Sequence, residues 1–284
     1  MRSTTPTDSP PPGETAVFYV TSHGSAGDHW FDWLARAFNA NPDLMVYMGE
    51  TVRAKYLRER SRKERPNLIA FTEFLADMGR PYPAVGEFFA YRAYQLEELR
   101  SRYGNRVRFV NVVRHPYCWL RAYVTWRCTN MGMRSTDTMA VDHEWSVVCH
   151  DTYRRLGLKT YTRGDIETWA TLQGLHILNR MRSDARDGVC NVALERLVSD
   201  PVLFNETAAH LSHGRVQFEA RLLDHVYAWT QTPFRANWRI LDSPGAERQR
   251  WPQWQEEAYD ALVGEQARSM FASFGYTLDR RDAA

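Results

Sequence analysis

Lysine is nearly missing from this chain. It occurs three times in 284 residues, at Lys55, Lys63 and Lys159, so almost all of the 36 basic side chains are arginines. Guanidinium groups suit two-pronged recognition of phosphate, although high-GC coding produces the same bias with no function behind it. A large charge of one sign is also absent. The formal net charge of +2 is too small for a protein that works on nucleic acid or a membrane surface. Cysteine is scarce, and Cys118, Cys128, Cys149 and Cys190 form no CxxC or CxxH pair and no small-domain disulfide spacing. That pattern argues against a zinc site, so no metal is expected and the thiols are expected to be reduced. No apolar run reaches the length of a transmembrane helix, and the N-terminus has no apolar region of a signal peptide. These absences lead to the expectation of a soluble, cytoplasmic protein with neither a nucleic-acid nor a membrane partner.

What the chain does have is apolar and aromatic surface: 44% hydrophobic residues, with ten Trp and fourteen Tyr. Its length suffices for one large, well-filled core. Residues 1–14, rich in Thr, Ser and Pro, read as a disordered leader, and 15–284 as a single domain without internal repeat or dividing linker. The periodicity predicts strands at Ala16–Val20, Ala84–Phe88, Val107–Val113 and Gly188–Ala193. Helices are predicted from Asp28 to about Asn39, through the charged segment Thr51–Arg65, over Leu68–Met78, Tyr91–Arg102, from Tyr117 onward and over Asp165–Arg182, with a mainly helical C-terminal third. The segment 127–164 lacks a clean period. Strands separated by helices imply an α/β fold of three layers, a central parallel sheet flanked by helices.

Four stretches carry chemistry. The first is Thr21-Ser22-His23-Gly24-Ser25-Ala26-Gly27-Asp28-His29-Trp30, a loop of small residues between the first strand and its helix. A helix N-terminus offers backbone N–H groups to an anion, and Gly24 and Gly27 let a phosphate approach the backbone. Many such turns bind nothing. The second is Val110-Asn111-Val112-Val113-Arg114-His115-Pro116-Tyr117-Cys118-Trp119-Leu120-Arg121-Ala122-Tyr123, which places Arg114 at the C-terminal end of a core strand, where open parallel sheets bind ligands. Arg114 suits a phosphate clamp, or equally an ion pair at the sheet edge. The third is Ala193-Leu194-Glu195-Arg196-Leu197-Val198-Ser199-Asp200-Pro201, after the last predicted strand. The fourth is Ser243-Pro244-Gly245-Ala246-Glu247-Arg248-Gln249-Arg250-Trp251-Pro252-Gln253-Trp254, a glycine turn with two arginines and two indoles.

In this order and spacing the four stretches resemble the nucleotide-dependent sulfotransferase family, in its bacterial small-molecule or carbohydrate branch. Ser25 to Trp30 is similar to the end of the family's phosphosulfate-binding loop, Y-P-K-S-G-T-T-W, and closer to a variant ending K-A-G-G-H-W. Val113 to Pro116 resembles V-R-N-P, Leu194 to Pro201 resembles Y-E-D-L-x-x-D-P, and the Arg-Trp-Pro-x-Trp stretch resembles the region that closes over the nucleotide. The resemblance implies a P-loop NTPase-like sulfotransferase fold. It further implies transfer of a sulfuryl group from 3′-phosphoadenosine 5′-phosphosulfate, without a metal, to a hydroxyl of a small molecule, such as a natural product, or of a glycan. Gly24, Ser25, Ala26, Gly27, Asp28, His29 and Trp30 would then hold the 5′-phosphosulfate, and Arg114 with Arg248 or Arg250 the 3′-phosphate. The proton of the acceptor hydroxyl would pass to Glu87 on the second predicted strand or to Glu50.

Three positions depart from the family. Ser25 stands where the loop lysine is expected, Ala122 where a phosphate-binding serine is expected, and Leu194 where the tyrosine of the third motif is expected. A lost donor toward developing charge costs roughly 2.7–4 kcal/mol, so His29, His23 or an arginine from elsewhere would have to replace the lysine. The departures keep open two other readings: a donor such as an aryl sulfate or another nucleotide, and a nucleotide-binding partner without turnover. A nucleotide kinase is not expected, because the loop lacks the Gly-Lys-Ser/Thr ending.

Overall fold

The computed structural model describes residues 14–22, 28–48, 68–89, 97–133, 166–183, 185, 189–228 and 244–278. They fall into two compact units. The first comprises Met1–Ser22, Asp28–Val113 and Asp187–Trp238; the second comprises His23–Gly27, Arg114–Arg186 and Arg239–Ala284. The predicted helix at Thr51–Arg65 lies outside the described residues, as does most of the irregular middle.

The first unit is built on β1 (Ala16–Ser22), β2 (Leu44–Met48), β3 (Ala84–Phe89), β4 (Val107–Val113) and β5 (Cys190–Ala193). All pairings are parallel and the order is β2-β3-β1-β4-β5. The inner strands are runs of β-branched and aromatic residues buried on both faces, as a covered parallel sheet requires. One face packs on α1 (Asp28–Phe38) and α7 (Pro201–Leu211). There Phe38 meets Phe88 at 5.3 Å and Phe204 at 4.7 Å between ring centroids. The other face packs on α2 (Leu68–Met78) and α3 (Glu97–Tyr103), where Phe71, Leu75 and Leu99 cover Val17, Tyr19, Val85, Val107 and Phe109. The unit is thus a three-layer α/β arrangement.

Its faces follow from the handedness of crossovers. The chain moves from β1 outward to β2 through α1 on one face. It returns to β3 through α2 and continues past β1 to β4 through α3, both on the other face. Right-handed connections require that switch of face when the direction reverses.

The edge strand β2 was not among the predicted elements. Asn39, just past α1, covers part of its outer backbone: its Nδ2 donates to the Val46 carbonyl at 2.9 Å and its Oδ1 accepts from the Val46 N–H at 2.7 Å. A side-chain amide therefore takes the place of a further strand. After β5 come the short turn α6 (Leu194–Leu197), then α7 and α8 (Ala220–Ala228). Asp200 caps α7, accepting from the N–H groups of Val202 at 3.0 Å and Leu203 at 3.1 Å, with Pro201 in the first helical position.

The second unit is helical: α4 (Pro116–Met133), α5 (Ile166–Arg180), α9 (Pro244–Gln249), α10 (Gln253–Leu262) and α11 (Glu265–Ser273). In α4 and α5, Gly174 faces Leu120 and Tyr123, and an added Cβ there would lie 2.5 Å from the Leu120 side chain. Gln173 Oε1 accepts from Arg127 Nη2 at 2.9 Å and from the Tyr123 hydroxyl. No helix among the described residues is long and apolar enough to cross a membrane.

Candidate functional site

Neighbouring strands β1 and β3 lead into helices on opposite faces of the sheet, α1 and α3. Such a switch point opens a crevice at the carboxyl ends of the strands, the usual ligand position in open parallel sheets. The segment His23–Gly27 starts at this point, directly after β1, and leads into α1. Gly24, Ser25, Ala26 and Gly27 lie outside the described residues, and so does Glu50. Asp28, His29 and Trp30 form the first turn of α1, as expected, and their side chains lie outside the described residues.

Glu87 sits in β3, in register with Tyr19 of β1 and Tyr47 of β2, and is wholly buried. It is two residues short of the strand's end and shares the face that carries α2 and α3. The Tyr19 hydroxyl lies 2.7 Å from Thr72 Oγ1. Burial raises the Tyr19 phenol far above its ordinary range; the Thr72 hydrogen bond opposes this and the charge of Glu87 adds to it.

One level nearer the carboxyl edge, Thr21, Asn111 and Asn191 stand in register across β1, β4 and β5. Asn111 Nδ2 donates to Asn191 Oδ1 at 2.9 Å, Asn191 Nδ2 donates to the Val189 carbonyl at 2.9 Å, and Thr21 Oγ1 donates to the Val110 carbonyl at 3.4 Å. This polar row was not among the residues expected from the sequence. Its signal was an amide inside the apolar run Val110-Asn111-Val112-Val113, where a covered parallel strand has no other reason to hold one.

Arg114 follows the last residue of β4 and is half-buried. The next residue, His115, is 4% exposed. Its Nδ1 accepts from the Tyr117 N–H at 3.3 Å, which places the proton on Nε2, and Nε2–H donates to the Thr277 carbonyl at 3.3 Å. Burial pushes the imidazole down to about 4, the Thr277 carbonyl opposes this, and the Arg114 guanidinium adds to it. The neighbouring Tyr117 hydroxyl donates to the Leu278 carbonyl at 2.6 Å. The start of α4 therefore pins the end of the described chain.

The two arginines of the fourth stretch have different surroundings. Arg248 makes a two-pronged pair with Glu256, Nε to Oε1 at 3.1 Å and Nη2 to Oε2 at 2.8 Å. Its Nη1 donates to the Tyr117 hydroxyl at 2.7 Å and to the Leu278 carbonyl. Both side chains of this pair are about nine-tenths buried, at 11% and 9% exposure. Arg250 is largely exposed and reaches Glu247 at 3.3 Å. Trp251 packs edge-on against Tyr117 at 5.0 Å, a core contact. The third stretch also has a structural part, since Arg196 lies 3.7 Å from Asp200, the cap of α7. Arg114, Arg248 and Arg250 thus belong to the second unit, and Glu87 to the switch-point strand of the first.

No family model matches the sequence, and no curated protein does. Solved structures of sulfotransferases match distantly. Mouse sulfotransferase SULT7A1, complexed with PAP, is 12% identical, with a TM-score of 0.47 over 91% of this chain and 88% of that one. The sulfotransferase domain of the curacin biosynthetic pathway is 13% identical, with a TM-score of 0.43 over 94% of this chain and 99% of that one. A sulfotransferase from Alicyclobacillus acidocaldarius is 13% identical, with a TM-score of 0.37 over 75% of this chain and 90% of that one.

Proposed function

We propose that this chain is a sulfotransferase that moves a sulfuryl group from 3′-phosphoadenosine 5′-phosphosulfate to a hydroxyl of a small molecule or glycan. The observation that carries the reading is the switch point: a loop of small residues leaves the sheet between β1 and α1, where anions meet a helix N-terminus. The ordered motifs of the sequence supply the rest. The donor contributes the sulfuryl group and leaves as adenosine 3′,5′-bisphosphate.

The chain contributes binding and proton removal. Backbone N–H groups of Gly24 to Trp30 hold the 5′-phosphosulfate. Arg114 and Arg250 hold the 3′-phosphate, since the Arg248 guanidinium is committed to Glu256, Tyr117 and Leu278. Glu87 or Glu50 takes the proton of the acceptor hydroxyl as its oxygen bonds to sulfur. Glu87 has support from its place in β3, beside the switch point.

Ser25, in the position of the family's lysine, favours a second reading: a nucleotide-binding protein of the same fold without turnover. Calorimetric titration with adenosine 3′,5′-bisphosphate, followed by a label-transfer assay from the phosphosulfate donor, separates the two. The proposal expects binding that Arg114→Ala weakens at least tenfold, roughly the worth of one charge-assisted hydrogen bond. Binding without any label transfer supports the second reading, and absence of binding contradicts both.

A further inference from the structure

The amino end of β4, at the end of the sheet opposite the switch point, carries a basic cluster that the sulfotransferase reading does not use. Pairing of β4 with β5 begins only at Val110. Ahead of that point the end of α7 lies along β4. His213 Nε2–H donates to the Arg106 carbonyl at 3.1 Å, and His210 bonds to the Phe109 backbone. Between these two anchors, Arg108 of β4 donates from Nε to His213 Nδ1 at 3.4 Å. Arg108 stands about 17 Å before the last residue of β4, at about 3.3 Å per residue. The cluster is therefore separate from the crevice at the carboxyl ends of the strands.

Its charges are one-sided. Arg108 is half-buried, and among the described residues its Nη1 and Nη2 meet no acceptor. By contrast, the buried Arg248 and the part-buried Arg268 each meet a carboxylate, Glu256 and Asp260. The charges that act on His213 belong to Arg108, Arg215 and His210, and the charge that acts on His210 belongs to Arg108. Arg108 also acts on the half-buried Cys190 thiol. No carboxylate is among these groups. Burial holds both imidazoles below their ordinary value, with the guanidiniums adding to it and the Arg106 and Phe109 backbone opposing it. His213 also lies in the left-handed region, at φ 56°, just before Gly214. The turn thus carries an imidazole where a glycine would be unstrained, a placement typical of functional positions.

A half-buried guanidinium flanked by two imidazoles and no carboxylate is a place short of negative charge. A tetrahedral oxyanion supplies that charge and matches the parallel N–H groups of the arginine fork. We propose that Arg108 and His213, with His210 beside them, form a binding site for a dianion of the sulfate or phosphate class, loaded together with a proton. A proton taken from solvent onto His213 Nδ1 releases Arg108 Nε. Two groups bonded to each other thereby become two donors aimed at the anion, and the anion in turn stabilises the imidazolium. The inference does not depend on the sulfotransferase reading.

The test is titration of the full chain with sodium sulfate at constant ionic strength, followed through the histidine ring resonances by NMR. The resonance that His213→Asn removes identifies His213, and asparagine suits the left-handed turn. In the wild type, sulfate should move the His213 titration to higher pH and bind more tightly as pH falls from about 8 to about 5.5. Arg108→Gln should weaken sulfate roughly tenfold or more, and Arg108→Lys should recover only part of the loss, because it restores the charge and not the fork. His213→Asn should flatten the pH dependence. Arg114→Ala should leave the His213 response unchanged, which separates this site from the nucleotide crevice. Parallel titrations with inorganic phosphate and glycerol 3-phosphate assign the site to the free ion or to an esterified phosphate, according to which binds more tightly. Thermal unfolding of each variant checks that it folds. A His213 resonance indifferent to all three anions, an Arg108→Gln chain that binds them like the wild type, or a response lost in Arg114→Ala overturns the inference and leaves the functional reading standing.

Discussion

His115 shows how a single side chain can hold a local structure and report on it. Its Nδ1 receives the Tyr117 N–H at the start of α4, and its Nε2–H reaches the Thr277 carbonyl. A proton on Nδ1 breaks the first contact and adds charge beside Arg114. The folded-state value, about 4, lies below the ordinary value of about 6.5. The unfolded chain therefore binds the extra proton first. The stabilisation is complete above about pH 6.5 and declines as pH falls toward 4, by roughly 1.4 kcal/mol per unit. Urea unfolding at about pH 7 and about pH 4.5 should show the wild type losing on the order of 2–3 kcal/mol more than His115→Gln. Equal losses in the two proteins would refute the assignment. The sequence marked His115 only as a member of a motif; its burial depends on a contact 162 positions away, which no local pattern encodes.

At the level of elements, the inner strands were legible because the residues that form them have no other use. Val107–Val113 emerges with the expected limits, and β1 and β3 extend one or two residues beyond the predicted ends. The start of α1 at Asp28, with its five-residue approach from β1, was likewise readable. The edge strand β2 was not, since five residues after a proline carry too short a period to separate strand from loop. What makes it a strand is its pairing with β3 and the Asn39 amide on its outer side. Gly86 is the clearest element-scale constraint in the sheet. An added Cβ would lie 2.1 Å from the Phe18 ring, which lies across the neighbouring strand at this position. Gly86→Ala must move a fully buried ring between α1 and the sheet, at a cost of roughly 1–3 kcal/mol. Thermal denaturation should show a clear fall in midpoint, with nucleotide affinity of the folded protein retained. An unchanged midpoint would mean that Phe18 is less tightly held than its burial indicates.

The molecule as a whole combines a legible framework with site details that only three-dimensional pairing reveals. The parallel pairing and the two covered faces of the first unit follow from alternating strand and helix signals; the strand order does not. The division of labour between Arg248 and Arg250 does not, because both stand in the same short motif and differ only in which carboxylate each meets. The row Thr21, Asn111 and Asn191 was hidden in the same way, by strand order rather than by spacing along the chain. In the proposed function the switch-point loop grips an anionic nucleotide whose far end rests on arginine. Crystals grown with adenosine 3′,5′-bisphosphate test it most directly. The 5′-phosphate is expected against the backbone N–H groups that lead into α1, with the 3′-phosphate on Arg114 and Arg250. A nucleotide bound elsewhere, or a loop closed on its own side chains with Arg114 turned away, would contradict it.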